Sequence, residues 1–222
     1  MIPLDLFDDR PPPPEAAQTQ LAPGAMLLHG FARSLDTELL QAIEAVISDA
    51  PLRHMQTPGG YTMSVATTSC GPLGWVSDPR GYRYTVCDPI TGQPWPVMPA
   101  CLMDLAQTAA AQAGYAHFAP ESCLINAYLP GAKLSLHQDK DEKDLTAPIV
   151  SVSLGLPAVF LFGTASRKDR PLRYRLVHGD VVVWGGPSRL AYHGVMPLAD
   201  GAHALLGRRR INLTFRSPRV KR

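Results

Sequence analysis

Residues 149–163 read Ile149-Val150-Ser151-Val152-Ser153-Leu154-Gly155-Leu156-Pro157-Ala158-Val159-Phe160-Leu161-Phe162-Gly163. Two short apolar runs, Ile149–Leu154 and Ala158–Phe162, are each closed by a glycine. Both are too short for buried helices and are rich in β-branched and aromatic residues, so they read as strands. The pattern extends outward. Upstream lie Leu124–Tyr128, closed by Pro130-Gly131, and Leu134–His137, closed by the charged loop 138–144. Downstream lie Tyr174–Val177 before His178-Gly179-Asp180, Val181–Trp184 before Gly185-Gly186, Leu190–Val195, and Ile211–Phe215. Eight short strands with turns and no helix between them predict a sandwich or jelly roll.

The amino-terminal half differs. Ser34–Ala50 predicts a helix with Leu35, Leu39, Ile43 and Val46 on one face and Pro51 as the stop. Pro99–Gly114 predicts a second, with Leu102, Leu105 and Ala109 aligned. Residues 54–98 are rich in Gly, Pro, Thr and Tyr and read as short strands and loops. Residues 1–24 hold the run Pro11 to Pro14 and read as a flexible, polyproline-like lead-in. The expected class is therefore mainly β with flanking helices.

Composition agrees. At 222 residues, 45% hydrophobic and 18% charged, the chain can bury a core and is not a disordered one. Its 22 prolines and 18 glycines favour strands and turns over long helices. A net charge of +2 argues against a strongly cationic nucleic-acid wrapper. Yet Arg208, Arg209, Arg210, Arg216, Arg219, Lys221 and Arg222 cluster without an acid, which suits an anionic ligand, a phosphate backbone or a solvated tail. Cys70, Cys87, Cys101 and Cys123 form no C-x-x-C pair or zinc spacing. With no signal peptide they read as reduced thiols of a cytoplasmic protein. The apolar stretch 149–162 is too short to span a bilayer, so no membrane partner is expected.

His137-Gln138-Asp139 sits where a strand meets the charged loop. Residues i and i+2 of a strand share a face, so both side chains can meet one ion. His193 lies on another predicted strand. Two His and one carboxylate on one side of a metal leave its other positions open, the facial triad of non-haem Fe(II) oxygenases. Since H-x-D is common by itself, the arginine downstream matters more. In Arg210-Ile211-Asn212-Leu213-Thr214-Phe215-Arg216, the polar and apolar residues alternate. Arg210, Asn212, Thr214 and Arg216 thus share one face. Pointing inward, two arginines would be costly unless they meet an anion. A dicarboxylate such as 2-oxoglutarate fits, its far carboxylate gripped by an arginine fork. A polar outer face on an edge strand would alternate in the same way.

The longer motifs carry a resemblance. Thr57-Pro58-Gly59-Gly60-Tyr61-Thr62-Met63-Ser64-Val65, Leu73-Gly74-Trp75, Leu134-Ser135-Leu136-His137-Gln138-Asp139-Lys140-Asp141-Glu142, Ser151–Pro157, His178–Gly186 and Asn212–Arg216 stand in the order found in the bacterial AlkB family of alkylated-DNA repair demethylases. That family belongs to the Fe(II)- and 2-oxoglutarate-dependent dioxygenases. The similarity spans about residues 25 to 216.

The resemblance implies a double-stranded β-helix (jelly-roll) core within one domain, 25–216. Residues 25–98 would form a helix and a nucleotide-recognition lid, and 99–216 a support helix and the core, followed by a basic tail, 217–222. It implies that His137, Asp139 and His193 are the catalytic metal ligands for Fe(II). Asn126, Tyr128, Arg210, Asn212 and Arg216 would surround 2-oxoglutarate, with O₂ as the second cosubstrate. Trp75, Tyr82, Asp141 and Arg167 would contact the alkylated nucleotide. The implied reaction is oxidative demethylation of N1-methyladenine and N3-methylcytosine by a monomer, in single- and double-stranded DNA, with RNA left open as a further partner, releasing formaldehyde, succinate and CO₂. Two departures stand out: Asn126-Ala127-Tyr128 replaces the family's Asn-Arg-Tyr, and residues 164–175 diverge and carry five basic residues. Two other readings stay open: an oxygenase acting on a target other than nucleic acid, and a non-catalytic binding module on a degenerate jelly roll. Intact His137, Asp139, His193 and Arg210 argue against the module. Arg80 and Arg83 join the 167–175 cations as candidates for phosphate contact.

Overall fold

A computed structural model describes residues 17–218. All eight strands expected after residue 122 are present: β7 (Ser122–Tyr128), β8 (Leu134–His137), β9 (Ile149–Gly155), β10 (Ala158–Phe162), β11 (Leu172–Leu176), β12 (Val181–Trp184), β13 (His193–Val195) and β14 (Arg210–Arg216). Before them run β1 (Gln18–Ala22), β2 (Ala25–Leu28), α1 (Asp36–Asp49), β3 (Arg53–Gln56), β4 (Thr62–Cys70), β5 (Gly74–Asp78), β6 (Gly81–Thr85) and α2 (Ala100–Gln112). The major sheet has the order β1-β2-β12-β9-β14-β7-β4-β3, the minor sheet β11-β10-β13-β8, and β5-β6 stands as a separate hairpin.

The major sheet is buried on both faces, and strand alternation gives the faces opposite chemistry. Val150, Val152 and Leu154 of β9 with Ile211, Leu213 and Phe215 of β14 face outward, packing with Leu39, Ile43 and Val46 of α1 and Leu102, Leu105 and Ala109 of α2. The residues between them, Ser151, Ser153, Arg210, Asn212, Thr214 and Arg216, face the minor sheet and are buried too. Beside this polar strip, Phe160 and Phe162 of β10 meet Trp184 of β12 and close the two sheets together. Because β14 pairs with β9 on one side and β7 on the other, its polar residues line an interior and not an edge.

Helix boundaries follow local chemistry. Asp36 and Glu38 lie in the first turn of α1, where negative charge suits the helix dipole. Leu35 belongs to the preceding 3₁₀ turn and is 36% exposed, so the apolar face starts one turn later than its spacing suggests. Past α2, Gly114 takes a φ of 93°, which lets Tyr115 N–H reach the Ala110 carbonyl at 2.8 Å.

Three domain expectations need correction. The lead-in does not extend to residue 24. Gln18–Ala22 is the edge strand of the major sheet, held by backbone pairing to β2 although Leu21 is its one large apolar side chain. The Pro11–Pro14 run lies outside the described residues. The segment 25–98 is not wholly a lid, because β2, β3 and β4 extend the major sheet. The hairpin β5-β6 packs on β3, β4 and β7. The tail begins later than 217: Ser217 is 4% exposed, and Lys143 N–H donates to the Pro218 carbonyl at 3.0 Å. Residues 219–222 lie outside the described residues. Among the described residues, no helix is long and apolar enough to cross a membrane, and the four cysteines are free.

The hairpin is fastened by a small core of its own, Met55, Val76 and Trp95. Trp95 lies so close over Gly74 that a Cβ there would fall 2.2 Å from its ring. Arg53 forks onto Asp88 at 2.6 and 2.7 Å. Burial alone would raise the Asp88 carboxyl, but Arg53 and the Ile90 N–H outweigh it and hold the group below its ordinary value. A carboxyl depressed in the folded state adds stability that is complete above its unfolded value of about 3.9 and is lost as pH falls through the lower folded value. Asp88→Asn should therefore lower stability at neutral pH. Urea melts should show the gap to the parent protein closing below about pH 4.

Candidate metal centre and cosubstrate cavity

β8 and β13 pair so that His137 and His193 stand directly opposite each other, ring centres 4.3 Å apart. The loop after β8 brings Asp139 back between them. Its Oδ1 lies 3.5 Å from His137 Nε2, and its Oδ2 lies 3.8 Å from His193 Nε2. One donor atom from each residue lies within 4.8 Å of the other two, the one such His/Cys/Asp/Glu group among the described residues.

Backbone carbonyls set the ring orientations. His137 Nδ1 lies 2.9 Å from Ser135 O, and His193 Nδ1 lies 3.0 Å from Ala191 O. Each Nδ1 then carries the proton and donates it, which frees both Nε2 lone pairs to face the same point. Burial, reinforced by His137, pushes His193 down to about 4, so its ring is neutral near pH 7. Burial also depresses His137, but the Asp139 carboxylate outweighs it and holds that ring above its ordinary value. Burial would raise Asp139, yet Arg216 and the two histidines keep it well below the usual carboxylate range. Two imidazoles and an ionised carboxylate on one side of a point suit a divalent metal with open positions opposite.

Next to the triad, Arg210 is 1% exposed. Its Nη2 donates to Ser153 Oγ at 2.9 Å, and its guanidinium lies 4.9 Å from the centre of the Tyr128 ring. Its Nε and Nη1 have no protein partner. A buried guanidinium with two free donors is costly unless an anion fills the place, so the chemistry fits a carboxylate there.

Every site residue expected from the sequence lines one cavity of about 710 Å³: His137, Asp139 and His193; Asn126, Tyr128, Arg210, Asn212 and Arg216; Trp75, Tyr82, Asp141 and Arg167. Their contacts differ from expectation in places. Arg216 is committed to the triad, with Nε and Nη2 on Asp139 Oδ2 at 2.8 and 2.7 Å. Asn126 donates to Asn212 Oδ1 at 3.3 Å, and Gln138 donates to Leu190 O at 2.6 Å, tying the loop to the segment before β13. Trp75 and Tyr82 stack 5.5 Å apart at 13°, and Trp75 Nε1 donates to Asp141 Oδ2 at 3.2 Å. The Arg167 guanidinium sits 5.7 Å from the centre of the Tyr192 ring. Arg80 and Arg83 both bind Asp78, which leaves them less open to phosphate than expected.

The sequence reading assigns Glu142, Arg189 and Tyr84 no place beside the triad. Glu142 lies in an acidic run that reads as solvated, yet it is buried. Arg189 Nη2 donates to its Oε2 at 3.0 Å, Tyr84 donates to its Oε1, and Arg216 Nε stands 3.5 Å away. Arg189 also donates to the Asp139 and Ala147 carbonyls. This network joins the metal-facing loop to β6. Removing one partner of a buried ion pair costs about 3–5 kcal/mol. Glu142→Ala should lower the unfolding free energy by about 3 kcal/mol or more in urea melts, and Glu142→Gln, which keeps the shape, should lose less.

Comparison with known proteins comes to the same place. The family model of the 2OG-Fe(II) oxygenase superfamily matches residues 24–216. The alpha-ketoglutarate-dependent dioxygenase AlkB of Salmonella typhimurium is 57% identical over 218 residues, 98% of this chain and 99% of its own. The tRNA demethylase abh1 of Schizosaccharomyces pombe is 34% identical over 163 residues, 68% of this chain and 54% of its own. The solved structure of OsALKBH1 has a TM-score of 0.78 and 28% identity, over 90% of this chain and 99% of that one.

Proposed function

The chain belongs to the 2OG-Fe(II) oxygenase superfamily, as an AlkB-type dioxygenase, and from that premise we propose that it demethylates N-alkylated bases of nucleic acid, with N1-methyladenine and N3-methylcytosine in DNA as its targets and RNA accepted as well. The observation that carries this reading is the wall facing the triad: the stacked Trp75–Tyr82 pair with the Asp141 carboxylate hydrogen-bonded to it. N1-methyladenine and N3-methylcytosine are cationic, and the methyl blocks the pairing edge. An aromatic face beside a carboxylate is the surface such a base requires.

In this reading His137, Asp139 and His193 hold Fe(II), and Arg210 grips the far carboxylate of 2-oxoglutarate beside Tyr128. Iron with 2-oxoglutarate and O₂ supplies the oxidising power that hydroxylates the N-methyl group, while 2-oxoglutarate leaves as succinate and CO₂. Arg216 keeps the Asp139 carboxylate ionised and aimed. Asn212 spends its amide on Ser151 Oγ and the Val152 carbonyl, which keeps the cavity floor rigid. Trp75 and Tyr82 receive the extruded base. Asp141 Oδ1 faces its positive charge, and Arg167 at the rim meets phosphate. The hydroxymethyl product then releases formaldehyde and the plain base. Extrusion costs a few kcal/mol and is cheapest for a base that already cannot pair. The name of the S. pombe relative, a tRNA demethylase, supports including RNA.

The test is a single-stranded oligonucleotide bearing N1-methyladenine, incubated with the protein, Fe(II), 2-oxoglutarate and ascorbate and followed by mass. The methyl should be lost. 2-Oxoglutarate turnover without loss of the methyl would instead point to another target. His137→Ala should abolish both turnover and demethylation. Asp141→Ala should lower kcat/KM for N1-methyladenine about tenfold, roughly 1.4 kcal/mol, while the loss for neutral ethenoadenine stays within about threefold. Equal losses would remove Asp141 from the recognition of charge.

A further inference from the structure

Most arginines of the described chain are committed to acids. Arg53 binds Asp88, Arg80 and Arg83 bind Asp78, Arg189 binds Glu142, Arg208 binds Asp200, Arg209 binds Glu44, and Arg216 binds Asp139. The β10–β11 hairpin breaks this pattern. Its turn and outer strand carry Arg167, Lys168, Arg170 and Arg173, all exposed. Among the described residues, none of these four enters an ion pair. The one acid among them, Asp169, is taken by the Thr164 hydroxyl at 2.6 Å.

The placement of these cations is fixed. Gly163 N–H donates to Tyr192 O, and Tyr192 N–H to Thr164 O, both at 2.8 Å. The turn is thereby tied to the residue next to His193. Arg167 reaches the cavity rim over Tyr192, while Lys168, Arg170 and Arg173 lie beyond it and do not line the cavity. Arg173 pairs with Leu161, on the face opposite Phe160 and Phe162, so it points away from the core. β11 is the outermost strand of its sheet among the described residues.

Like charges left uncompensated repel one another and attract a polyanion. The row begins at the rim of a cavity suited to a cationic base and runs away from it. A chain of phosphates attached to that base fits such a row better than an acidic protein does. We propose that Lys168, Arg170 and Arg173 form a phosphate track for the nucleotides flanking the extruded base, so that the enzyme prefers oligonucleotides several phosphates long. This rests on the nucleic-acid reading above.

The test reads binding, apart from turnover. Anisotropy of a labelled unmodified single-stranded 15-mer and of a labelled trinucleotide is measured between 50 and 200 mM salt. Each phosphate contact to a single strand contributes about 0.7 to the slope of log affinity on log salt. The variant Lys168→Ala/Arg170→Ala/Arg173→Ala should lose about 2 units of slope on the 15-mer. Its 15-mer-to-trinucleotide affinity ratio should fall about tenfold or more. Arg170→Lys/Arg173→Lys should retain the slope, because point charges suffice for the track. An unchanged slope, equal losses on both probes, or loss in the lysine variant would overturn the proposal, as would poly-glutamate displacing the 15-mer as well as an oligonucleotide of equal charge. Failure of the demethylase reading would look different: no loss of methyl from either probe carrying N1-methyladenine, whatever the binding.

Discussion

Arg216 is the group on which the site depends. It stands at the end of β14, paired with strands on both sides, and holds the carboxylate of Asp139. Without it, the Asp139 carboxylate would keep only the two histidines against the cost of its burial. Burial lowers the cost of neutral forms, so only a fixed cation keeps Asp139 ready as an anion. Burial works against Arg216 as well, yet Asp139, Tyr84 and Glu142 hold it protonated, above even its ordinary value. Arg189 then joins the Glu142 carboxylate to the backbone carbonyls of Asp139 and Ala147. The position of the Asp139 carboxylate is thus tied to a strand paired on both sides.

The sheet makes such a site affordable. Strand alternation gives β9 and β14 one apolar face, covered by two helices, and one polar face that is also buried. A buried polar face is normally a liability. Here its members satisfy one another: Asn212 with Ser151 and Asn126, and Arg210 with Ser153. The two donors left over on Arg210 mark where an outside group belongs. Apolar burial is supplied by the helix-covered face and by the Phe160–Phe162–Trp184 cluster between the sheets, which leaves the polar strip beside it for chemistry.

Much of this was legible in the sequence, for local reasons. Short apolar runs closed by glycine gave the jelly-roll strands, and the His-x-Asp spacing marked the ligand pair, although Asp139 lies past the end of β8 and is turned back by the loop and not by strand alternation. The alternation of 210–216 correctly sent Arg210 and Arg216 inward. What it could not say is which protein partner each would meet, because Asp139 lies 77 residues from Arg216 and the Ser153 hydroxyl lies 57 from Arg210. Glu142 was hidden for the same reason: its burial depends on Arg189 and Tyr84, brought from distant elements. β1 was missed because its stability lies in backbone pairing, which leaves no side-chain pattern. The reading of Leu35 failed because a 3₁₀ turn changes the angular step before the helix starts.

The carbonyls of Ser135 and Ala191, which fix both imidazoles, also bear on which metal is chosen. The rings need no tautomer exchange and little rearrangement before an ion arrives. The pocket therefore spends little binding energy on ordering its ligands. A site of two nitrogens and one carboxylate follows the general affinity order of the divalent first-row metals, in which Fe(II) ranks below nickel and copper. Rigid preparation tightens every one of those ions together and does not reorder them. Occupancy by iron is then decided by which metals the surroundings supply, and a competing ion would sit in the same frame without disturbing it.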